Sequence, residues 1–164
     1  MTSYTAGILT VSDKGSRGER QDTSGPQLNA MLTAQGYTVS AYAVVPDEVA
    51  AIQKILLEWV DTQGIDLILT TGGTGMAPRD LTPEATLPLL ERVVPGIGEA
   101  MRQVSLRKTP NAILSRGIAG IRQQSLIINL PGSSKAAREN LEAVLPALPH
   151  GLYKLKGGEQ DCGG

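Results

Sequence analysis

Aromatic side chains, cysteine and histidine are scarce in this chain. Of its 164 residues only 3% are aromatic and none is phenylalanine, so the hydrophobic core must be built from aliphatic side chains. A single cysteine, Cys162, excludes an internal disulfide and a cysteine metal cluster. A single histidine, His150, likewise excludes a histidine cluster for a transition metal.

Excess charge and long apolar runs are also missing. The net charge is -1 at pH 7, which argues against a surface that binds nucleic acid or an anionic membrane. No apolar run approaches the roughly 18 residues of a membrane span, and residues 1–6 lack the pattern of a signal peptide. We expect a soluble cytoplasmic protein with one domain over residues 1–156 and a flexible Gly-rich tail over residues 157–164.

Strand-like and helix-like segments alternate along the chain. The predicted strands cover 6–12, 37–45, 66–71, 117–121 and 125–130. The predicted helices begin near Ser24, Asp47, Thr82, Pro95 and Lys135. Asp47 is a candidate N-cap, residues 13–23 are predicted to form a loop, and the last helix is predicted to end near Leu148. This alternation indicates a parallel α/β architecture.

The strongest motif is a glycine-rich loop, Thr71-Gly72-Gly73-Thr74-Gly75, at the end of a predicted strand. The backbone N–H groups of such a loop can converge on an anion. Asp80 follows closely, and a carboxylate beside a bound phosphate needs a divalent cation to bridge the two. A tight strand-to-helix connection, with Asp80 near a helix cap, is an equally good interpretation of the segment alone. The chain has neither a P-loop nor a dinucleotide-binding glycine motif.

A second turn, Asn129-Leu130-Pro131-Gly132-Ser133-Ser134, leads from a predicted strand into a helix. Exposed N–H groups and the helix dipole favour an anion at such a position. Ordinary helix capping by Ser133 or Ser134 explains the same residues without a ligand.

Acidic residues follow the predicted strands. Ser12 and Asp13 end the first strand, and Asp47 follows the second. Because the carboxyl ends of parallel strands meet at one edge of a sheet, Asp13, Asp47 and Asp80 can project together. Several acids beside two anion-binding turns indicate a metal–nucleotide site rather than a scaffold.

Hydroxyl and basic side chains are grouped in two later segments, 105–109 and 114–116. They could contact a second anionic substrate. Cations placed favourably at a solvated helix end are the simpler explanation of these segments taken alone.

Taken together, these motifs resemble the molybdopterin adenylyltransferase family of the MogA/MoaB type. The resemblance is carried by residues 8–13, 24–26, 44–48, 66–86, 105–110, 114–122 and 126–133. It implies a three-layer α/β/α sandwich with a mostly parallel sheet, and a homotrimer. It also implies transfer of AMP from Mg-ATP to the terminal phosphate of molybdopterin, with a molybdate-inserting transferase as a candidate partner.

The resemblance also implies roles for residues at matching positions. Asp47 and Asp80 match the acids of catalysis and Mg²⁺ binding. The positions that match nucleotide contacts are Ser12, Asp13, Gly72, Gly73, Thr74, Gly75, Asn129, Pro131, Gly132 and Ser133. Substrate contacts are implied for Ser105, Ser115 and Arg116.

Two alternatives stay open. The first is a non-catalytic binding domain, against which the intact pair Asp47 and Asp80 argues. The second is another enzyme on the same fold, such as a competence-damage-type nucleotide hydrolase or the molybdate-inserting transferase. Those enzymes normally need further domains.

Overall fold

A computed structural model of the chain describes residues 3–161. The strands are β1 (Thr5–Val11), β2 (Thr38–Val45), β3 (Leu67–Thr71), β4 (Arg92–Val93), β5 (Ala119–Arg122) and β6 (Ser125–Leu130). The helices are α1 (Asp13–Ser16), α2 (Ser24–Ala34), α3 (Val49–Leu57), α4 (Thr82–Thr86), α5 (Pro95–Leu106), α6 (Ser134–Val144) and α7 (Leu148–Leu155). A π-helical turn extends α3, and 3-10 turns lie at Leu87–Leu89, Pro110–Leu114 and Leu145–Ala147.

The six strands form one sheet in the order β2-β1-β3-β6-β5-β4. The first four of these strands are parallel, whereas β5 pairs antiparallel with β6 and β4 pairs antiparallel with β5. The predicted α/β architecture with a mostly parallel sheet is therefore confirmed. The ends of β1, β2, β3 and β6 lie together at one edge, where the predicted motifs follow.

Helices cover both faces of the sheet, so the three-layer arrangement is also confirmed. Neighbouring residues of β1 point to opposite sides, with Ile8 in one apolar cluster and Leu9 in the other. The first cluster packs against α2, α5, α6 and α7, and the second packs against α3 and α4. The core is almost entirely aliphatic, and Trp59 lies in the second cluster at 4% exposure.

Three predicted assignments were wrong and one strand was missed. Residues 13–16 form α1 instead of loop, because Ser12 Oγ accepts from Gly15 N at 2.9 Å and caps the turn. Asp47 is not the N-cap of α3, since Glu48 occupies that position and makes no capping bond. The short strand β4 was not foreseen. The last predicted helix breaks after Val144, and a 3-10 turn and α7 follow it.

The end of the chain is only partly described. Gly157 N and Gly158 N donate to Lys154 O and Tyr153 O of α7, both at 3.0 Å. The first two residues of the predicted tail are therefore bonded to the preceding helix, and Cys162 lies outside the described residues. Among residues 3–161 no helix has the length and hydrophobicity needed to cross a membrane.

Candidate functional site

A cleft of about 340 Å³ opens where β1 and β3 end. Its walls are the ends of these strands, residues 20–24 and the turn before α6. The predicted site residues that line it are Ser12, Asp47, Gly72, Gly73, Asp80, Gly132 and Ser133. The structure thus brings together both acids predicted to bind Mg²⁺ and one or more residues from each glycine-containing turn.

The turn after β3 requires glycine at two successive positions. Gly72 and Gly73 have φ angles of 107° and 68°, a region that L residues with side chains rarely adopt. A Cβ on Gly72 would collide with the carbonyl oxygen of Val11, and one on Gly73 would collide with Thr82 Oγ1. Thr82 holds the turn in this position, because its Oγ1 donates to Gly72 O at 2.8 Å.

Backbone donors are left available at both turns. Within residues 3–161, the N–H groups of Gly73 and Thr74 donate no hydrogen bond, and neither do those of Gly132 and Ser133. Ser133 also caps α6, since its Oγ accepts from Ala136 N at 3.4 Å. Capping and anion binding are therefore compatible here, because the cap uses the side chain and leaves the N–H group.

Asp47 is oriented by Asp13. Asp47 Oδ2 accepts from Asp13 N at 2.9 Å, and Asp13 Oδ1 accepts from Asp47 N at 3.0 Å. Asp47 Oδ1 accepts no hydrogen bond from the described part of the chain and lies beside Gly73. Burial raises the pKa of the Asp47 carboxyl, and the charges of Asp13 and Asp80 raise it further. This carboxylate would therefore be stabilised by a cation in the cleft.

Asp13 itself is held by Arg79, a residue that the sequence reasoning missed. Arg79 Nε and Nη2 donate to the two oxygens of Asp13 at 2.6 and 2.9 Å. This two-bonded pairing lowers the pKa of the Asp13 carboxyl to about 2. Asp13, predicted as a nucleotide contact, does not line the cleft; both of its oxygens position other parts of the site. The only sequence signal for Arg79 is its place before Asp80.

Arg116 braces the loop that carries Asp80. Its Nε donates to Gly75 O at 2.8 Å and its Nη2 donates to Asp80 O at 2.6 Å. Its Nη1 pairs with Glu84 at 2.5 Å. Arg116 was predicted as a substrate contact, but the structure uses its side chain to hold the loop. Asp80 is thereby presented to the cleft.

Asn129 was predicted as a nucleotide contact, but it is buried at 1% exposure and does not line the cleft. Its Nδ2 donates to Thr70 Oγ1 and Thr86 Oγ1 at 3.0 and 3.1 Å. These bonds tie β6 to β3 and α4, so the role of the side chain is structural. The predicted contacts that lie outside the lining of the cleft also include Thr74, Gly75 and Pro131.

The wall at residues 20–24 was not predicted. Asp22 accepts from Thr10 Oγ1 at 2.7 Å, from Gly25 N at 3.1 Å and from the Tyr42 hydroxyl. Burial and the contact with Asp22 raise the pKa of Tyr42 to about 12, so its hydroxyl remains a donor. Arg20 adds a cation to the same wall. A polar stretch assigned to a loop gave no signal that it would fold against the cleft.

A second cavity, of about 210 Å³, contains Ser105 and Ser115. Asn140 Nδ2 donates to Ser105 Oγ at 2.7 Å and holds this hydroxyl at the cavity. Pro131 lines this second cavity, whereas Gly132 lines the first cleft. The two cavities therefore adjoin on either side of one turn.

Comparison with known proteins identifies the family. A family model described as "Probable molybdopterin binding domain" matches residues 7–150. The chain belongs to this molybdopterin-binding family.

This chain spans different shares of the length of its relatives. The "Molybdopterin adenylyltransferase" of Helicobacter pylori J99 is 48% identical over 88% of this chain and 83% of its own length. The "Gephyrin" of Dictyostelium discoideum is 50% identical over 91% of this chain, which spans only 22% of that protein. The solved structure of the molybdopterin biosynthesis enzyme MoaB from Thermus thermophilus is 60% identical, with a TM-score of 0.89. That superposition covers 94% of this chain and 97% of the other.

The acids of this molybdopterin-binding domain fit a metal that arrives with a nucleotide. Within residues 3–161 no group of three or more His, Cys, Asp or Glu side chains is arranged to hold a metal ion. Three carboxylates line the cleft. Both oxygens of Asp22 accept hydrogen bonds from neighbouring protein groups, so Asp47 and Asp80 are the two that could hold a cation. Mg²⁺ is commonly held by one or two carboxylates together with substrate phosphates and water. The residues present therefore suit Mg²⁺ once phosphates supply the remaining ligands.

Proposed function

We propose that this chain transfers the adenylyl group of ATP to the terminal phosphate of molybdopterin and releases pyrophosphate, as a step of molybdenum cofactor biosynthesis. The observation that carries this proposal is the pair of cavities that meet at Pro131 and Gly132. One cavity offers acids and free backbone donors, and the other offers hydroxyls and cations. Relatives named molybdopterin adenylyltransferase, such as the one from Helicobacter pylori, support the same assignment.

The first cleft is assigned to Mg-ATP. The N–H groups of Gly73, Gly132 and Ser133 lie in the lining of this cleft and donate no hydrogen bond within the described residues, so they are the donors available to phosphate oxygens. Asp47 and Asp80 would hold Mg²⁺, which when bound neutralises the charge on the triphosphate. Asp13 and Arg79 act as positioning residues, because they hold Asp47 at its orientation.

The second cavity is assigned to molybdopterin, with Ser105 and Ser115 as contacts. In the reaction, an oxygen of the molybdopterin phosphate attacks the α-phosphorus of ATP. The bond between that phosphorus and the bridging oxygen of the β-phosphate breaks, and pyrophosphate leaves with that electron pair. A phosphate monoester is largely ionised at neutral pH, with a second pKa of about 6. The site therefore needs no general base, and alignment and charge neutralisation suffice.

We further propose that the protein is a cytoplasmic homotrimer. Its one cysteine suits a reducing compartment. An apolar groove of about 460 Å³ is lined by residues such as Ile97, Ala100 and Leu155. Contact with a second copy of the chain would bury this apolar surface, which supports the proposed oligomer. Light scattering at micromolar concentration should give three times the mass of one chain, and a monomer would contradict the trimer.

The experiment that tests the proposed function is incubation of the purified protein with molybdopterin and Mg-ATP, followed by mass spectrometry. Adenylylated molybdopterin should accumulate together with pyrophosphate. A non-catalytic binding domain would bind either ligand without product. A nucleotide hydrolase would consume ATP with no change in the mass of the pterin.

A further inference from the structure

A carboxylate in the second cavity has no role in the reaction described above. Glu139 lies on α6 at 8% exposure and lines this cavity beside Ser105 and Asn140. Ionised groups are seldom buried to this extent unless they are paired and hydrogen-bonded. The surroundings of Glu139 therefore need explanation.

The contacts of Glu139 satisfy only part of its capacity. Its Oε1 is fully buried and forms an ion pair with Lys108 Nζ at 2.6 Å, a contact that lowers the pKa of the Glu139 carboxyl. Its Oε2 accepts no hydrogen bond from residues 3–161. An ionised carboxylate has about four acceptor positions. The Lys108 side chain is 49% exposed, so it can move towards solvent and release the carboxylate.

The position of Glu139 matches the far end of a ligand whose phosphate lies at the turn before α6. Glu139 is five residues after Ser134, the first residue of α6, which is roughly 7.5 Å along a helix axis. The phosphate end of molybdopterin must approach the Pro131-Gly132 turn to reach ATP. The cavity is lined by Pro131 of this turn and by Ala136 and Glu139 of α6, so a pterin ring that extends from the turn along α6 would reach Glu139.

We infer that Glu139 recognises the 2-amino-4-oxo pyrimidine edge of the pterin, accepting one hydrogen bond from its N3–H and one from its 2-amino group. This assignment rests on the proposed function, because it takes the occupant of the second cavity to be a pterin. The two donors are adjacent on the ring and match the two oxygens of one carboxylate. Hydrogen bonds to a charged acceptor are about twice as strong as neutral ones.

A specificity follows from this pairing. A pteridine with an oxo group in place of the 2-amino group would direct an acceptor at the carboxylate. A site built to hydrogen-bond one group rejects an analogue that lacks it, because its buried polar atoms are left unpaired. Glu139 therefore makes the cavity selective for pterins over 2,4-dioxopteridines.

The test compares Glu139→Gln with the wild-type full chain. The substitution should raise KM for molybdopterin roughly tenfold to a hundredfold, while kcat and KM for ATP change little. Pterin and its 2-oxo analogue lumazine are then compared as competitive inhibitors. The inhibition constant of the wild type should be about tenfold or more lower for pterin than for lumazine, and in the variant the two constants should be similar. The matched control is Glu142→Gln, an exposed acid on the same helix, which should leave both readouts unchanged.

A second variant separates pterin recognition from the ion pair. Lys108→Met removes the partner of Glu139 and should keep the preference for pterin over lumazine. Loss of that preference in Lys108→Met, or its retention in Glu139→Gln, would overturn the inference. So would equal binding of pterin and lumazine by the wild type. Fluorescence titration of both compounds reads the preference without catalysis, so this outcome is distinct from absence of adenylyl transfer, which would overturn the proposed function.

Discussion

Asp13 and Asp47 exchange hydrogen bonds, and each carboxylate accepts from the backbone N–H of the other residue, at 3.0 and 2.9 Å. The exchange joins the end of β1 to the end of β2. One oxygen of Asp47 is fixed by this exchange, and the other remains beside Gly73 in the cleft. The loop that carries Asp80 is held separately by Arg116. The two proposed metal-binding acids are thus positioned by different neighbours.

Replacing Asp80 by asparagine should abolish most adenylyl transfer. The change keeps the shape of the side chain and removes one of the two charges proposed to hold Mg²⁺, so the rate should fall on the order of a hundredfold or more. Steady-state assay of the variant at saturating Mg-ATP measures this. The melting temperature should stay within a few degrees of wild type, and Asp61→Asn at a distant ion pair serves as the control. Wild-type turnover by Asp80→Asn would show that Asp80 is structural.

The carboxyl of Asp13 should titrate near pH 2. Its pairing with Arg79 holds the folded pKa at about 2, below the ordinary value of about 3.9. Because the folded pKa is depressed, the pairing stabilises the fold fully above about pH 4, and this contribution is lost as the pH falls towards 2. Carbon-13 NMR of the side-chain carboxyl measures the pKa directly.

The matched variant for this titration is Arg79→Gln. It removes the main cause of the shift, so the pKa of Asp13 should rise towards its ordinary value. An unchanged titration in Arg79→Gln would contradict the assigned cause.

Sequence patterns predicted the parallel strands and the edge at which the acids meet, whereas the three layers were implied by the family resemblance. The strands and their edge follow from local periodicity and from the geometry of parallel sheets. The reciprocal bonds of Asp13 and Asp47 could not be predicted, because they depend on how two strand ends are aligned after folding. The pairing of Arg79 with Asp13 joins residues 66 positions apart, and no local pattern reports such a contact.

Roles within a motif were harder to predict than the motif itself. Asn129 and Arg116 both lie in segments that mark the site, yet their side chains form hydrogen bonds with neighbouring protein groups. A motif identifies residues that a site requires and does not say which of them face the ligand. That distinction depends on side-chain direction, which became visible only in the folded structure.

Gly73→Ala should weaken ATP binding, and Gly64→Ala should not. Both glycines have positive φ, 68° and 62°, so each alanine costs about 1–2 kcal/mol of backbone strain. A Cβ at Gly73 would also meet Thr82 and Asp47, whereas nothing lies within 4 Å of one at Gly64. Calorimetric titration of Mg-ATP into both variants distinguishes backbone strain, which both alanines cause, from obstruction of the site, which only Gly73→Ala causes. Equal ATP affinity in the two variants would contradict the assigned role of the turn.

Ser105→Ala should weaken binding of molybdopterin and spare ATP. It removes a hydroxyl from the second cavity. It also leaves Nδ2 of the buried Asn140 without its acceptor, and an unsatisfied buried donor costs about 1–3 kcal/mol of free energy. Titration of each ligand separately measures the effect. If Ser105→Ala and Gly73→Ala lowered both affinities to the same extent with folding intact, the two cavities would form a single shared pocket.

The measurement that tests the central claim most directly follows radioactive phosphorus from two forms of ATP. The purified protein is incubated with molybdopterin and Mg-ATP labelled either at the α- or at the γ-phosphate, and pterin products are separated. The α-label should appear in the pterin product and the γ-label only in pyrophosphate. The γ-label in the pterin product would indicate phosphoryl transfer, and α-label only in free nucleotide would indicate hydrolysis; either result would contradict adenylyl transfer.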